Sequence, residues 1–402
     1  MSTALNGIRV LDLSRILAGP WASQLLGDYG ADVVKIERPG SGDDTRQWGP
    51  PWLGGEGGES AYFLSTNRNK RSVTVDLKTD AGVDLVRKLA LEADVVIENF
   101  KVGTLARFGI AAESLRASNP RLIFCSISTY GQHGSKAQMP GYDAMIQASG
   151  GLMSMTGAPK DENGGPQKVG VAIADIMTGM YAATAILAAL AARERNGAGQ
   201  IIDVPLYDSQ VAWLANQNMN YLVGGIVPQR RGTAHPNIVP YQMFATADGH
   251  LMLAVGNDSQ FRSCVACLGL SELADQPEFT SNASRVQNRH ILVNKLDTAF
   301  AACTTADWLR VLTDAGVPCG PINDLHEVFT SDYVIERQLV LKQTHPLDNE
   351  LPAVANPVKF SKTPVCYDKA PPLLGQHTAE VLREWLGYSA ESIDSLRDAG
   401  AI

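Results

Sequence analysis

The chain has 402 residues, 45% of them hydrophobic and 19% charged, and 34 lysines and arginines against 42 acidic residues leave a net charge of −8. A single hydrophobic core rarely serves so long a chain, so two domains, or one large domain with an insertion, are expected. The acidic balance, with a pI near 5.4, argues against nucleic acid as a partner but permits a local basic cluster for a phosphate-bearing small molecule.

From Gly7 the residues follow a strand pattern to Leu13, then a turn through Gly19-Pro20 and a helix from about Trp21 to Tyr29. A second strand follows at Asp32–Glu37, and this β-turn-α-β order opens a doubly wound sheet. The turn is not GxGxxG and no P-loop pattern occurs, so neither dinucleotide nor P-loop chemistry has motif support. No signal or transit peptide is expected ahead of so early a strand. Residues 38–70 read as a Gly/Pro/Trp-rich loop in which Arg38, Arg46, Arg68, Lys70 and the adjoining Arg71 concentrate positive charge. Long loops inside α/β domains are usually functional. The rhythm resumes with strands at 72–77, 94–98 and 121–127 and a helix at 81–91. Asn99-Phe100 falls at a strand's carboxyl end, where open α/β sheets bind ligands.

The stretch Val169–Ala192 is the longest nearly unbroken apolar run, and Asp175 interrupts it. Read as a helix over 176–195, apolar on all sides, it ends at Asn196-Gly197 with Arg193 and Arg195 in its last turn. Asp175 then stands at the N-terminus, either as an ordinary cap or as a desolvated nucleophile. A membrane span is permitted by length but opposed by the central Asp and the mid-run Gly and Thr, so no membrane partner is expected. A strand at 200–204 and one helix from Tyr207 to about Leu222 precede a change of character at Gly224-Gly225. Residues 226–324 read as a smaller α+β domain with a hairpin around Asp248-Gly249, and 325–402 as a return to the first domain, which begins as 1–225. Six cysteines are scattered along the chain. Cys264-Val-Ala-Cys267 has no second pair, so it reads as one helix face in a reduced, cytoplasmic protein, and no metal is expected.

Several segments together resemble the class III coenzyme A transferases, the formyl-CoA and carnitine CoA-transferase family. They are Leu11-Asp-Leu-Ser-Arg-Ile-Leu-Ala-Gly-Pro20, Val34–Gly40, Asn69–Ser72, Glu98–Phe100, Gly141-Tyr-Asp143, Val169–Asp175, Val317–Pro321 and Pro372–His377. Ser41–Pro51, Asn67–Lys70, Arg231-Gly-Thr-Ala-His-Pro236 and Val239–Gln242 resemble the branch that takes CoA from succinyl-CoA to five-carbon dicarboxylates. The resemblance implies a Rossmann-like large domain built from both chain ends, an inserted small domain, and a homodimer of interlocked rings.

It also implies the chemistry. Asp175 is the family nucleophile, passing through an aspartyl anhydride and an aspartyl-CoA thioester. The substrates are an acyl-CoA and a carboxylic acid, with no permanently bound cofactor. CoA contacts carry over to Ile16, Ala18, Arg38, Val75, Lys78, Asn99, Phe100, Arg107, Tyr142 and Leu206. A dicarboxylate needs a second cation for its far end. Arg46, Arg231 with Gly232, and His235 are the expected substrate contacts, with Arg68 and Arg230 as further candidates. Two departures stand out. Pro140 replaces a lysine that touches a phosphate in formyl-CoA transferase, and Arg231–His235 replaces its tetraglycine loop, which argues against oxalate and formate. Two alternatives remain. An α-methylacyl-CoA racemase would need a histidine where this chain has Tyr142, and a non-catalytic CoA-binding protein would not need Asp175.

Overall fold

Short runs rich in Val and Ile build a six-stranded parallel sheet in the computed structural model of the chain, which describes residues 2–160 and 163–402. Its strands are β1 (Arg9–Asp12), β2 (Asp32–Glu37), β3 (Lys70–Thr74), β4 (Val95–Glu98), β5 (Ile123–Ser128) and β6 (Ile201–Pro205). They lie in the order β3-β2-β1-β4-β5-β6, all parallel. The order reverses between β1 and β4, so a crevice opens there at the strands' carboxyl ends.

The strands read as continuous apolar runs because both faces are covered. On one face Val10, Val33, Val95, Ile97 and Ile123 meet Ala22, Leu25 and Leu26 of α1 (Ala18–Asp28), and Ala174, Ala182 and Ile186 of the long helix Ile173–Asn196. On the other, Leu11, Val34, Val73, Val96 and Phe124 meet Leu85, Val86 and Leu89 of α2 (Asp80–Glu92). Val381, Leu382 and Trp385 of the helix Thr378–Leu386 complete that layer. The Pro372–His377 segment closes over β3: the amides of Gly375 and His377 donate to the Oγ and the carbonyl of Ser72, at 2.8 and 2.9 Å.

Two expectations change here. The helix Ile173–Asn196 ends at the αL residue Gly197 as its sequence demands, but it is not buried all round, since Met180 and Tyr181 are each 41% exposed. It is the one helix among the described residues long and apolar enough to cross a membrane, yet its other face lies in the core. The single helix expected from Tyr207 is broken at Ala215 (φ 49°) into Leu206–Trp213 and Asn216–Gly224.

The expected basic loop is also different. Residues 38–70 fold into a 3₁₀ turn (Asp44–Gln47), a small ribbon (Trp52–Leu53 with Glu59–Ser60) and a helical turn (Ala61–Leu64). Most of its charge is buried in ion pairs. Arg68 pairs with Asp28, Lys70 with Asp12, and Arg71 with Asp32, Glu380 and Glu384.

The sheet unit comprises residues 1–152, 169–225 and 335–402; a second compact unit comprises 153–168 and 226–334. Relative to the sequence reading, 153–168 and 325–334 move to the second unit. There β7 (Tyr241–Ala245) and β8 (His250–Ala254) form the hairpin around Asp248-Gly249, and Cys319–Pro321 adds the third antiparallel strand. Its core gathers Phe244, Leu253, Phe261, Leu296 and Phe300. Arg285 is buried beside it, donating to the carbonyls of Val239 and Phe279 and to Asp258. Cys264 and Cys267 lie on one helix (Asp258–Cys267), and all six cysteines are free.

Candidate active site

The crevice at the strand-order reversal is a cleft of about 330 Å³. The segment after β1 contributes Arg15–Ala18, the segment after β4 contributes Asn99–Val102, and the segment after β5 contributes Ser128, Thr129 and 139–142. Asp44, Ile127, Ala137, Asp175 and Leu206 also line it. Asn99 ties the first two segments together: its Oδ1 accepts from the Arg15 amide at 2.9 Å and its Nδ2 donates to the Arg15 carbonyl at 2.7 Å. Phe100 is held by its own amide, which donates to Glu98 at 2.8 Å. Burial, with the Asp203 charge, pushes Glu98 up to about 7 against two hydrogen bonds that pull it down.

Asp175 is the third residue of the helix Ile173–Asn196, and it does not cap it. The N-cap is Ala172, without a side-chain bond. Asp143, at the start of the helix Asp143–Ser149, does the capping instead: it accepts from the amides of Ala174 (2.8 Å) and Asp175 (3.4 Å). Gln147 fixes Asp143 by donating to its second oxygen at 2.7 Å. The Asp175 carboxyl is thus left for the cleft, and the residue is only 8% exposed. Burial, and then the Asp143 charge, push it up to about 7. A carboxyl with this pKa ionises around neutrality, and its ionised form is poorly solvated, the condition in which a carboxylate gains nucleophilicity.

Gly179, one turn on, lets this helix approach α1. A Cβ there would meet the Ala18 carbonyl at 2.6 Å and the Trp21 side chain at 3.0 Å. The close approach brings α1's N-terminus into the same cleft, where its first amides have no helix carbonyl to satisfy them. Tyr62 also shares the field of Asp175. Burial and the charges of Asp175, Asp143 and Asp43 push its hydroxyl up to about 12, so it stays a neutral donor. Its ring meets Trp48 edge-on at 5.1 Å.

Of the residues expected from sequence, Asp175, Ile16, Ala18, Asn99, Phe100, Tyr142 and Leu206 line this one cleft, with Pro140. Arg38, Lys78 and Arg107 are exposed outside it, in the segments that follow β2, β3 and β4. Val75 is 2% exposed within the α2-side core layer, which leaves little of its side chain for a ligand. Arg46 is corrected. Its guanidinium is bidentate on Glu37 (2.8 Å twice), reaches Glu59 at 2.7 Å and the Pro372 carbonyl at 3.0 Å, and stacks on Phe63. No donor set is left for a substrate carboxylate, and the same holds for Arg68 on Asp28 and the Val354 carbonyl.

Within the second unit Arg231 is exposed, and Gly232 takes a left-handed φ of 60° while donating to the Gly157 carbonyl. His235 stacks on Tyr241 at 5.2 Å, and burial, then Arg289, push its pKa down. Arg289 donates to the His235 and Pro236 carbonyls, at 2.7 and 3.1 Å. Arg230 donates Nε and one Nη to the carbonyls of Ala158 and Gly164, at 3.2 Å each. Asp143, Tyr62 and Arg289 were not singled out from sequence as site residues. Only Asp143 carried a signal, in its position next to Tyr142. Among the described residues, no group of three His, Cys, Asp or Glu side chains is placed to hold a metal ion.

Comparison with known proteins matches residues 5–378 to CoA-transferase family III. The chain is 48% identical over 383 residues to the succinate–glutarate CoA-transferase of Agrobacterium fabrum, covering 94% of this chain and 95% of that one. It is 45% identical over 398 residues to the succinyl-CoA:glutarate CoA-transferase of Mus musculus, covering 99% and 90%. A crystal structure of a CaiB/BaiF family protein from Brucella suis superposes with a TM-score of 0.84 at 46% identity, covering 96% of this chain and all of that one.

Proposed function

The chain belongs to CoA-transferase family III, and from that premise we propose that it moves CoA from succinyl-CoA to a short dicarboxylate, a five-carbon one such as glutarate or itaconate or the methyl-branched hydroxymethylglutarate. The observation that carries this reading is the Asp175 carboxyl, desolvated in a cleft at the sheet's switch point. Its oxygen attacks the thioester carbonyl, giving an aspartyl–acyl anhydride and CoA thiolate. The thiolate attacks the aspartyl carbonyl, which releases the donor acid and leaves an aspartyl-CoA thioester. The acceptor carboxylate then attacks that thioester, and the displaced thiolate takes the acyl group from the new anhydride. The first amides of α1 supply donors where oxyanion charge develops, and the Tyr62 hydroxyl adds a neutral one. Asn99 and Phe100 with the backbone of 16–18 hold the pantetheine, and Arg38, Lys78 and Arg107 take the phosphates.

Arg231 is the cation proposed for the far carboxylate, with His235 as a neutral donor, because Arg46 and Arg68 are committed to Glu37, Glu59 and Asp28. The enzyme is proposed to act in the cytoplasm as an interlocked homodimer without a resident cofactor. Met219, Tyr221, Leu222, Val223, Ile226 and Val227, each at least half exposed in the single chain, favour a dimer. The test pairs enzyme and succinyl-CoA with a panel of mono- and dicarboxylates and follows new acyl-CoA. Transfer confined to monocarboxylates would sink the substrate assignment. Exchange of the α-proton of a 2-methylacyl-CoA, without transfer, would mark a racemase instead.

A further inference from the structure

Beneath the cleft lies a turn whose backbone is held by four side chains, of which Asp12, Lys35 and Asp43 are buried and Asn99 half-buried. The Ser14 amide donates to Asp12 at 2.9 Å, and the Ser14 carbonyl accepts from Lys35 Nζ at 2.8 Å. Both backbone groups of Arg15 are taken by Asn99. The Ile16 amide donates to the two oxygens of Asp43 at 3.2 and 3.3 Å. Five successive backbone groups thus answer to four side chains. Ile16 needs such restraint, because its φ of 73° places a β-branched residue in the left-handed region, where L side chains crowd the carbonyl. Strain of this kind persists only where its surroundings over-determine it.

Asp43 and Lys35 are an ion pair at 2.9 Å with no side-chain exposure on either partner. Burial raises Asp43, but Lys35 and the Thr45 bonds outweigh it and hold the carboxyl at about 2, so it is ionised at any working pH. A buried pair contributes little net stability over a well-packed apolar substitute, and this one grips both ends of the turn, Ser14 through Lys35 and Ile16 through Asp43. The turn runs through Leu17 into Ala18, the first residue of α1.

We infer that Asp43 is a positioning residue, which holds Ile16 left-handed and so aims the first amides of α1 at the carbonyl that Asp175 attacks. This rests on the proposed reading of Asp175 as nucleophile. Asp43 touches neither substrate nor nucleophile, and acts through the Ile16 backbone.

Glycine adopts a positive φ at no steric cost, so Ile16→Gly should make the Asp43 grip dispensable. In the otherwise unchanged enzyme, Asp43→Asn is expected to lower kcat about tenfold, the rate equivalent of the strain at stake, with KM for succinyl-CoA within about twofold. In the Ile16→Gly background the same substitution should cost less than about twofold. Equal losses in both backgrounds would overturn the inference, because a general structural role of the ion pair would not respond to residue 16. If Asp43→Asn does not fold, Ile16→Pro carries the test. Proline has no amide to give Asp43 and fixes φ near −65°, while the buried pair is untouched. Loss of kcat at an unchanged melting temperature supports the inference, and a wild-type kcat overturns it. Asp175→Ala in the same assay separates the two claims. If it is active, the cleft reading falls and this inference with it; if it is inactive while the cycle shows no coupling, only the role of Asp43 falls.

Discussion

Asp143→Asn should move the acid limb of the pH–rate profile to lower pH. Asp175 is raised from 3.8 to about 7, by burial first and by the Asp143 charge second. That rise of about three pH units corresponds to about 4 kcal/mol of preference for the neutral form. Since burial is the larger cause, the Asp143 charge accounts for less than half of it, about one pH unit or roughly 1.4 kcal/mol. Asparagine keeps an oxygen to accept from the Ala174 amide, so the helix start keeps its cap while the charge goes, at the loss of the Gln147 bond to the second oxygen. The sign follows directly. The proposed nucleophile is the ionised form of Asp175, so kcat/KM of the parent enzyme should rise with pH and level off above about 7, and the limb of Asp143→Asn should lie about one unit lower. The assay is kcat/KM for succinyl-CoA against pH, which reports ionisations of the free enzyme. A limb at an unchanged pH would refute the coupling, and a limb moving upward would reverse its sign.

Three further outcomes follow from the same geometry. A carboxyl whose pKa is raised on folding contributes stability below its unfolded value and loses it as pH rises through the folded one. Asp175→Asn should therefore stabilise the protein at pH 8 by on the order of 2–4 kcal/mol, with the gain vanishing below pH 4; urea unfolding at the two pH values reads this. Arg46→Met should destabilise by about 3–5 kcal/mol, because Glu37 and Glu59 are left buried beside it without their partner; a raised KM for glutarate at an unchanged melting temperature would return Arg46 to the substrate. Gly179→Ala should cost about 1–3 kcal/mol and lower kcat roughly tenfold by pushing its helix off the Ala18 carbonyl; a thermal melt and a rate measurement check both parts.

Much of the sheet was legible in sequence because its strands are buried on both faces and its helices are amphipathic, so period and composition agree. Asp32–Glu37 was placed to the residue, and Gly197 marked the end of the long helix. What local pattern could not carry was partnership. Arg46 and Arg68 looked like free cations in a polar loop, but Glu37, Glu59 and Asp28 reach them from other segments. The cap of the long helix came from Asp143, 32 positions before Asp175, so helical spacing alone gave that role to the wrong aspartate. The break at Ala215 has no glycine or proline to announce it. The cleft itself was legible only in part. The segment after β4 was placed by the strand-end rule, whereas Ile16 and Ala18 after β1 came only from resemblance to a family. Asp175, by contrast, was singled out by its place in the apolar run and assigned its role by resemblance to a family. Tyr62 and Arg289 have no local signature at all, because what makes them notable is a charge brought near by the fold.

The central claim is that the Asp175 carboxyl carries the covalent intermediate. Enzyme incubated with succinyl-CoA in the absence of acceptor, trapped with hydroxylamine and digested, can be read by peptide mass spectrometry. The expected result is a hydroxamate on the peptide containing Asp175 and none in Asp175→Asn. Trapping at another side chain, or steady transfer to glutarate by Asp175→Asn, would contradict it.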